Sequence, residues 1–328
     1  MRKLFLLTCL FTSASVLAGS AFGQASKTAT GGFHRSREST EIPAPVSGSF
    51  ALWSGGAMLV VQDRFSSSPI IQVIDRDGKE VSRFAFGIPG AGRVNLYDNS
   101  VARGPKGSMA FVGSAYTNDS RGATFLAMVS SDGETQTVVR LSPFAPQAVT
   151  IASDGTIWVA GYDAHQAPNE QDYSEHLIRR YDENGTLLGS FLPWSEVRTP
   201  PRTAPAAVNS ILVTASDRVG WYSPSAQTYV EFALDGTMLH QIKTPGHSRS
   251  TMLQVALCDD ASLFVSAAVN HGPDGPASWN ILALDRQQGS WSSNPRPETW
   301  GKLYGCDGTR LASTTDSRTI TWLEPAGK

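Results

Sequence analysis

The chain has 328 residues and a formal net charge of −2, and 17% of its residues are charged. No cluster of Lys and Arg supplies the basic surface that nucleic-acid binding needs, so we exclude nucleic acid as a partner. The 30 Gly and 19 Pro, beside a hydrophobic share of 41%, favour short strands and tight turns over long charged helices.

The N-terminal residues have the organisation of a cleavable signal peptide. Arg2 and Lys3 form a positive start, a mostly apolar run extends to Leu17, and small residues follow it. The apolar run is shorter than the ~20 residues that a membrane span requires. We therefore expect a secreted or periplasmic protein that loses residues 1–23, keeps an N-terminal arm over residues 24–45, and has no transmembrane segment after cleavage.

Beyond the arm, the chain repeats one unit with a period near 50 residues. A hairpin with a glycine in its turn recurs at intervals of 55, 52, 51 and 53 residues, at Gly78, Gly133, Gly185, Gly236 and Gly289. Most of these glycines follow Asp or Asn between alternating apolar runs, which is the strongest short-range signal for a hairpin. We expect type I′ turns, with positive φ at both central residues.

A second series of hairpins interleaves with the first, as in Ile211–Ser223 and, more loosely, Ser100–Gly113. Each period then holds four strands, which is the blade of a β-propeller. After Arg318–Pro325 the sixth blade still lacks one strand, and we expect the N-terminal arm around Arg37–Pro43 to supply it. The sequence thus predicts an all-β, six-bladed propeller of four-stranded antiparallel blades over residues 46–328, closed by an N-terminal strand.

Two segments carry a resemblance to a known family. Ala152–Val159 (ASDGTIWV) and Arg180–Gly185 (RYDENG) are similar to repeats of six-bladed propellers of the NHL-repeat and gluconolactonase-like kind. The resemblance covers nearly all of the mature chain and implies the fold. Gluconolactonase-like enzymes hold a metal with Glu, Asp and Asn around the channel. Here Asp98 is the one carboxylate at the start of an inner strand, so that metal site does not carry over.

The two cysteines that remain after signal cleavage stand at the same repeat position of blades five and six. Cys258 precedes Asp-Asp, and Cys306 precedes Asp-Gly. In an oxidising compartment this placement favours a disulfide between the blades near the ring axis. The alternative is two buried thiols, if the Cα atoms lie beyond the ~7 Å bridging limit.

Candidate ligand-binding residues lie on the connections between the two hairpins of blades two, three and five, which are expected on one rim of the ring. Together with Asp98 they are Tyr116 and Arg121 in blade two, His165, Asp172 and His176 in blade three, and His271 and Trp279 in blade five. Such groups would bind a divalent cation or serve as acid and base, yet their spacing matches no metal motif. We predict no catalytic residues, metal or cofactor.

The hypothesis that follows is an exported, non-catalytic, monomeric propeller that binds a protein or carbohydrate ligand. Two alternatives remain open. One is a hydrolase or lyase whose site at the channel mouth is built from the loops of blades two, three and five. The other is a structural component of a cell-envelope assembly.

Overall fold

Six antiparallel sheets form a closed ring in the computed structural model. The structure describes residues 33–41, 50–164, 175–197, 209–244, 253–269, 278–286, 288–295, 302–314 and 319–325. Consecutive sheets touch through their inner strands, and the last sheet touches the first. The predicted all-β, six-bladed propeller is confirmed.

The strands follow the order expected of propeller blades, from the ring axis outward. Blade 1 contains β2 (Phe50–Ser54), β3 (Ala57–Gln62), β4 (Ile70–Ile74) and β5 (Glu80–Ala85). Blade 2 contains β6 (Arg93–Asn95), β7 (Val101–Arg103), β8 (Met109–Tyr116), β9 (Gly122–Val129) and β10 (Thr135–Arg140). Blade 3 contains β11 (Phe144–Ile151), β12 (Ile157–Asp163), β13 (His176–Tyr181) and β14 (Leu187–Pro193), followed by a 3₁₀ turn at Trp194–Val197.

The second half of the ring repeats this arrangement. Blade 4 contains β15 (Ile211–Ala215), β16 (Arg218–Ser223), β17 (Thr228–Ala233) and β18 (Met238–Lys243). Blade 5 contains β19 (Leu253–Leu257), β20 (Leu263–Val269), β21 (Ser278–Asp285) and β22 (Ser290–Pro295). Blade 6 contains β23 (Lys302–Asp307), β24 (Arg310–Thr314) and β25 (Thr319–Pro325), with β1 (Phe33–Glu41) on its outer edge.

The N-terminal strand closes the ring, as the repeat count predicts. β1 pairs antiparallel with β25, with Thr40 opposite Ile320. The strand begins and ends somewhat earlier than the expected Arg37–Pro43, and Pro43 lies outside the described residues. Because β1 supplies the fourth strand, blade 6 is assembled from both ends of the chain.

The hairpin turns occur where the Asp-Gly and Asn-Gly signals place them, but the predicted turn type is wrong. In the first turn the Gly78 amide donates to the Asp75 carbonyl at 3.1 Å, and only the glycine has a positive φ, of 82°. Asp75 Oδ1 also accepts from the amides of Asp77 (3.0 Å) and Lys79 (2.9 Å). This geometry is a type I turn followed by a left-handed glycine, and the aspartate side chain stabilises it.

These turn glycines also allow neighbouring blades to pack closely. A Cβ built on Gly133 of blade 2 would lie 2.3 Å from Cγ and 2.7 Å from Cβ of Phe84, on the outer strand of blade 1. Gly185 meets Val139 and Gly236 meets Phe191 in the same way, each across one blade boundary. At the closure, Gly78 lies against β1, where the added Cβ would be 2.5 Å from the Glu41 carbonyl oxygen. The closing strand thus takes the place of a normal outer strand.

A disulfide links the inner strands of blades 5 and 6. Cys258 and Cys306 are bonded, and their Cα atoms are 5.3 Å apart, within the bridging limit. The neighbouring apolar cluster includes Phe264 and Leu311, so the bond lies against the packed core of this boundary. Of the two arrangements considered from the sequence, the structure contains the disulfide.

A buried ion cluster joins blades 4 and 5 on the side of their outer hairpin turns. Glu231 on β17 is fully buried, and its Oε1 accepts from Tyr229 Oη at 2.9 Å and from Arg286 Nη2 at 2.8 Å. Arg218 approaches the other carboxylate oxygen at 3.4 Å. Burial and the Glu231 charge hold the pKa of Tyr229 well above its ordinary value. Two arginines and a phenol hydroxyl thus stabilise one buried carboxylate.

Candidate functional site

The loops between the second and third strands of the blades emerge at one end of the ring. Residues 63–69 of blade 1 and 117–121 of blade 2 are described there. The corresponding loops of blades 3 and 5, where His165, Asp172 and His271 were placed, lie outside the described residues. The site can therefore be built from the loops of blades 1 and 2.

The inner strand of blade 2 is broken, and this break positions the site. We expected one strand from Ser100, but β6 and β7 both pair with β8, and residues 96–100 bulge out between them. The blade 1 loop runs along the free edge of β6, because Val94 donates to the Ser66 carbonyl and Leu96 to the Arg64 carbonyl, both at 2.8 Å. The blade 1 loop and β6 therefore hold each other in place at the mouth of the axial channel.

The bulge reaches past the neighbouring blade. Asn99 Nδ2 donates to the Ser210 carbonyl of blade 4 at 3.4 Å, and the Asn99 carbonyl accepts from the Val149 amide of blade 3 at 2.9 Å. Because blade 3 separates blades 2 and 4 in the ring, the first contact links two blades that are not adjacent. These bonds hold the bulge in place beneath its exposed side chains.

Two aromatic rings stand exposed at this mouth. Phe65 and Tyr97 are 49% and 43% exposed, and their ring centroids are 6.2 Å apart at an angle of 65°. The Arg64 guanidinium lies 4.8 Å from the Phe65 centroid and forms an ion pair with Asp98. We call these four residues, Arg64, Phe65, Tyr97 and Asp98, the mouth cluster. It is apolar in the middle and charged at its margin, with each ring orientation fixed by a neighbour.

A second aromatic group lies at the beginning of β6. Arg93 is directly opposite Tyr116 on β8, and its guanidinium lies 4.9 Å from the Tyr116 ring centroid. Tyr116 is in turn opposite Gly122, where an added Cβ would lie 2.7 Å from Tyr116 Cε1. The absence of a side chain at Gly122 thus lets the tyrosine ring lie flat across the sheet and support Arg93.

The blade 2 loop beyond Tyr116 is a self-contained turn. Thr117 donates its amide to the Arg121 carbonyl at 2.9 Å, and Arg121 forms an ion pair with Asp119 at 2.7 Å. Hydrogen bonds from Thr117 and Arg121 lower the pKa of Asp119. Arg121, a predicted ligand residue, is therefore exposed but already paired with a carboxylate.

The structure brings Asp98 and Tyr116 to this end of the ring, with Arg121 beside them. His176 is exposed at the start of β13, opposite Pro193. The backbone of Trp279 lies in β21, and its side chain is outside the described residues. The convergence of all three loops on one site thus stays a prediction.

Sequence reasoning missed Arg64, Phe65, Arg93 and Tyr97. Arg64 and Phe65 lie between an expected strand and a run of serines, a pattern typical of an ordinary polar loop. Arg93 lies in a Gly-rich connection. Their importance comes from the broken inner strand, which brings the blade 1 loop against β6. The signal that the sequence did offer for this site was a Phe next to an Arg in an expected loop.

The titratable groups with displaced pKa values are spread over separate parts of the described ring. Burial raises the pKa of Tyr222 to about 12 at the boundary of blades 4 and 5. Backbone and side-chain hydrogen bonds lower the pKa of Asp182 and Asp235 in hairpin turns. In the described part of the chain, no three His, Cys, Asp or Glu side chains are grouped so that they would hold a metal ion.

The fold defines the chain as a six-bladed β-propeller, and the comparisons with known proteins agree at that level. A Bacteroides fragilis protein described as exported superimposes with a TM-score of 0.53 at 11% identity, covering 90% of this chain and 96% of that one. The Pan2 WD40 domain of Neurospora crassa gives 0.51 at 13% identity, with 89% and 97% coverage. A GH74 xyloglucanase from Xanthomonas campestris gives 0.50 at 12%, with 88% and 45% coverage.

At these identities the likeness concerns the fold alone. No protein-family model matches the chain, and no curated protein matches it. No helix among the described residues is long and apolar enough to cross a membrane. The NHL-like or gluconolactonase-like type thus remains a resemblance, and the arguments for function rest on the site.

Proposed function

We propose that this protein is an exported, non-catalytic propeller that binds carbohydrate at the blade 1–2 face, which comprises the mouth cluster with Arg93 and Tyr116. The observation that carries the proposal is the exposed pair of rings Phe65 and Tyr97, flanked by Arg64 and Asp98. Sugar rings offer apolar C–H faces for stacking and hydroxyl groups for the charged margin. The signal peptide predicted from the sequence supports the proposed export.

The size of the face favours carbohydrate over protein. A stable protein interface buries ~800 Å² per partner around an apolar centre. Among the described residues, the apolar centre of this face consists of two rings, and charged side chains begin directly beside them. A ligand that combines a small apolar face with several hydroxyl groups fits this surface better than a second protein does.

A binding screen tests the proposal. The mature chain, residues 24–328, is titrated by calorimetry against neutral and acidic oligosaccharides. The double variant Phe65→Ala with Tyr97→Ala should weaken binding about tenfold, since both stacking contacts are lost. Leu187→Ala is the matched control, because Leu187 is equally exposed (50%) on the outer strand of blade 3. Absence of binding to every saccharide, or equal loss in the control, would reject the proposal.

A second candidate is a structural role in a cell-envelope assembly, and one observation favours it. The outer strands of blades 3 and 4 expose adjacent apolar pairs at the same repeat position, Leu187 with Leu188 and Met238 with Leu239. Exposed apolar side chains on strand edges are common docking points. Co-sedimentation with isolated envelopes that is lost in Leu188→Lys with Leu239→Lys, but kept in Phe65→Ala with Tyr97→Ala, would favour this role.

A further inference from the structure

Arg93 differs from Arg64, the other arginine of the blade 1–2 face, and from Arg121 in the neighbouring loop. Arg64 forms an ion pair with Asp98, and Arg121 forms one with Asp119. For Arg93, no carboxylate of the described residues lies within ion-pair distance, and its guanidinium contacts the Tyr116 ring. This guanidinium is thus an exposed cation whose charge no neighbouring acid of the described chain neutralises.

The position of Arg93 is fixed in advance of any ligand. Its backbone is held in β6 opposite Tyr116, and the Tyr116 ring lies on Gly122. A guanidinium that is stacked on an aromatic ring loses little conformational freedom when it binds, and its planar fork of N–H groups matches a carboxylate. These are the properties of an anion-recognition group.

The distance to the mouth cluster limits the length that a ligand needs. Arg93 and Tyr97 are four positions apart in sequence, so their Cα atoms are at most about 13 Å apart at the rise of an extended strand. An oligosaccharide of a few sugar rings is long enough to contact both groups. Its apolar ring face would lie on Phe65 and Tyr97, and its acidic group would lie at Arg93.

We infer that the blade 1–2 face selects an acidic oligosaccharide, one that carries a carboxylate on a sugar ring, and that Arg93 is the residue that recognises this carboxylate. The inference rests on the proposed carbohydrate function. To that function it adds the negative charge of the ligand and the residue, Arg93, that recognises this charge. No bond is made or broken, and Tyr116 acts as the positioning residue for Arg93.

The test uses the mature chain and three probes: trigalacturonate, its methyl ester, and the neutral trisaccharide of galactose. The wild type should bind the acid about tenfold more tightly than the ester, as expected for a hydrogen-bonded charged group. Arg93→Gln should bind acid and ester equally. Arg121→Gln is the matched control, an exposed arginine of the same rim that should keep the preference. Tyr116→Leu should lower the ratio of acid affinity to ester affinity, because Arg93 then loses the ring that positions it.

The outcomes separate the two proposals. If the wild type binds acid, ester and neutral sugar alike, or if Arg93→Gln keeps the preference for the acid, the assignment of Arg93 is wrong while carbohydrate binding stands. If Arg93→Gln loses affinity for all three probes alike, Arg93 has a general structural role and the inference also fails. If none of the three probes, nor any other saccharide of the panel, binds, the carbohydrate function itself fails.

Discussion

The contact between the Gly133 turn and Phe84 gives a quantitative test of how the blades hold together. Gly133 and Gly155 both occupy the left-handed position of a hairpin turn, with φ of 94° and 87°. A Cβ on Gly133 would lie 2.3 Å from the Phe84 ring, whereas a Cβ on Gly155 would meet nothing within 4 Å. Alanine therefore causes the same backbone strain at both positions. The two variants differ in the packing contact with Phe84, which only Gly133→Ala makes.

The expected costs follow from these two effects. The left-handed conformation should cost about 1–2 kcal/mol for either alanine. Gly133→Ala adds overpacking against Phe84, about 1–3 kcal/mol more, because Phe84 Cβ lies only 2.7 Å from the added atom and is anchored to its strand. The free energy of unfolding of Gly133→Ala should thus fall by about 2–5 kcal/mol.

Urea unfolding of both variants, with the melting temperature as a second measure, tests this difference. In a Phe84→Gly background, which removes both the ring and the Cβ, the extra cost of Gly133→Ala should disappear, since the two residues are in contact and their effects are then non-additive. Equal destabilisation by Gly133→Ala and Gly155→Ala in the wild-type background would refute the reasoning, because it would mean that blade packing adjusts to the added methyl group without cost.

Three further substitutions test the other boundaries. Glu231→Gln should destabilise the fold by about 3 kcal/mol in urea unfolding, because Arg286 loses its carboxylate partner while Arg218 keeps its ion pair with Asp217; a loss below ~1 kcal/mol would mean that water compensates Arg286. Replacing Cys258 and Cys306 by Ala opens a link between residues 48 apart in sequence and should cost about 4 kcal/mol by loop entropy; an unchanged melting temperature would show that blade packing alone fixes this boundary. Burial and the nearby Asp259 raise the pKa of Asp307, so its charged form is disfavoured in the fold. Asp307→Asn should therefore raise the melting temperature at pH 7, with the gain vanishing as the pH falls below the ordinary Asp pKa; a lower melting temperature at pH 7 would show that the ion pair with Arg76 dominates.

The blade architecture was predictable because its signals are local. Asp or Asn before glycine, between alternating apolar residues, marks a hairpin wherever it occurs, and counting these hairpins gives the six blades and the missing strand. The turn type was not predictable from the Asp-Gly and Asn-Gly pairs alone. Hydrogen bonds from the Asp77 and Lys79 amides to the Asp75 side chain favour the type I conformation in the first turn.

The candidate site was predictable only in part, for a different physical reason. Asp98 and Tyr116 could be found because they stand at ends of expected strands, whereas Phe65 becomes part of a site only through the pairing of its loop with β6. That pairing depends on the bulge at residues 96–100, whose anchor is a contact from Asn99 in blade 2 to Ser210 at the start of blade 4. A contact between residues so distant in sequence leaves no local pattern.

The construction of blade 6 has a consequence for how the chain is made. Among the strands of the ring, β1 is synthesised first and its partner β25 last, so the nascent chain carries an unpaired β1 until the other strands have been made. A product that stops before residue 319 retains β1 with an open backbone edge and cannot close the ring. The hydrogen bonds between β1 and β25 can thus form only after every blade has been synthesised.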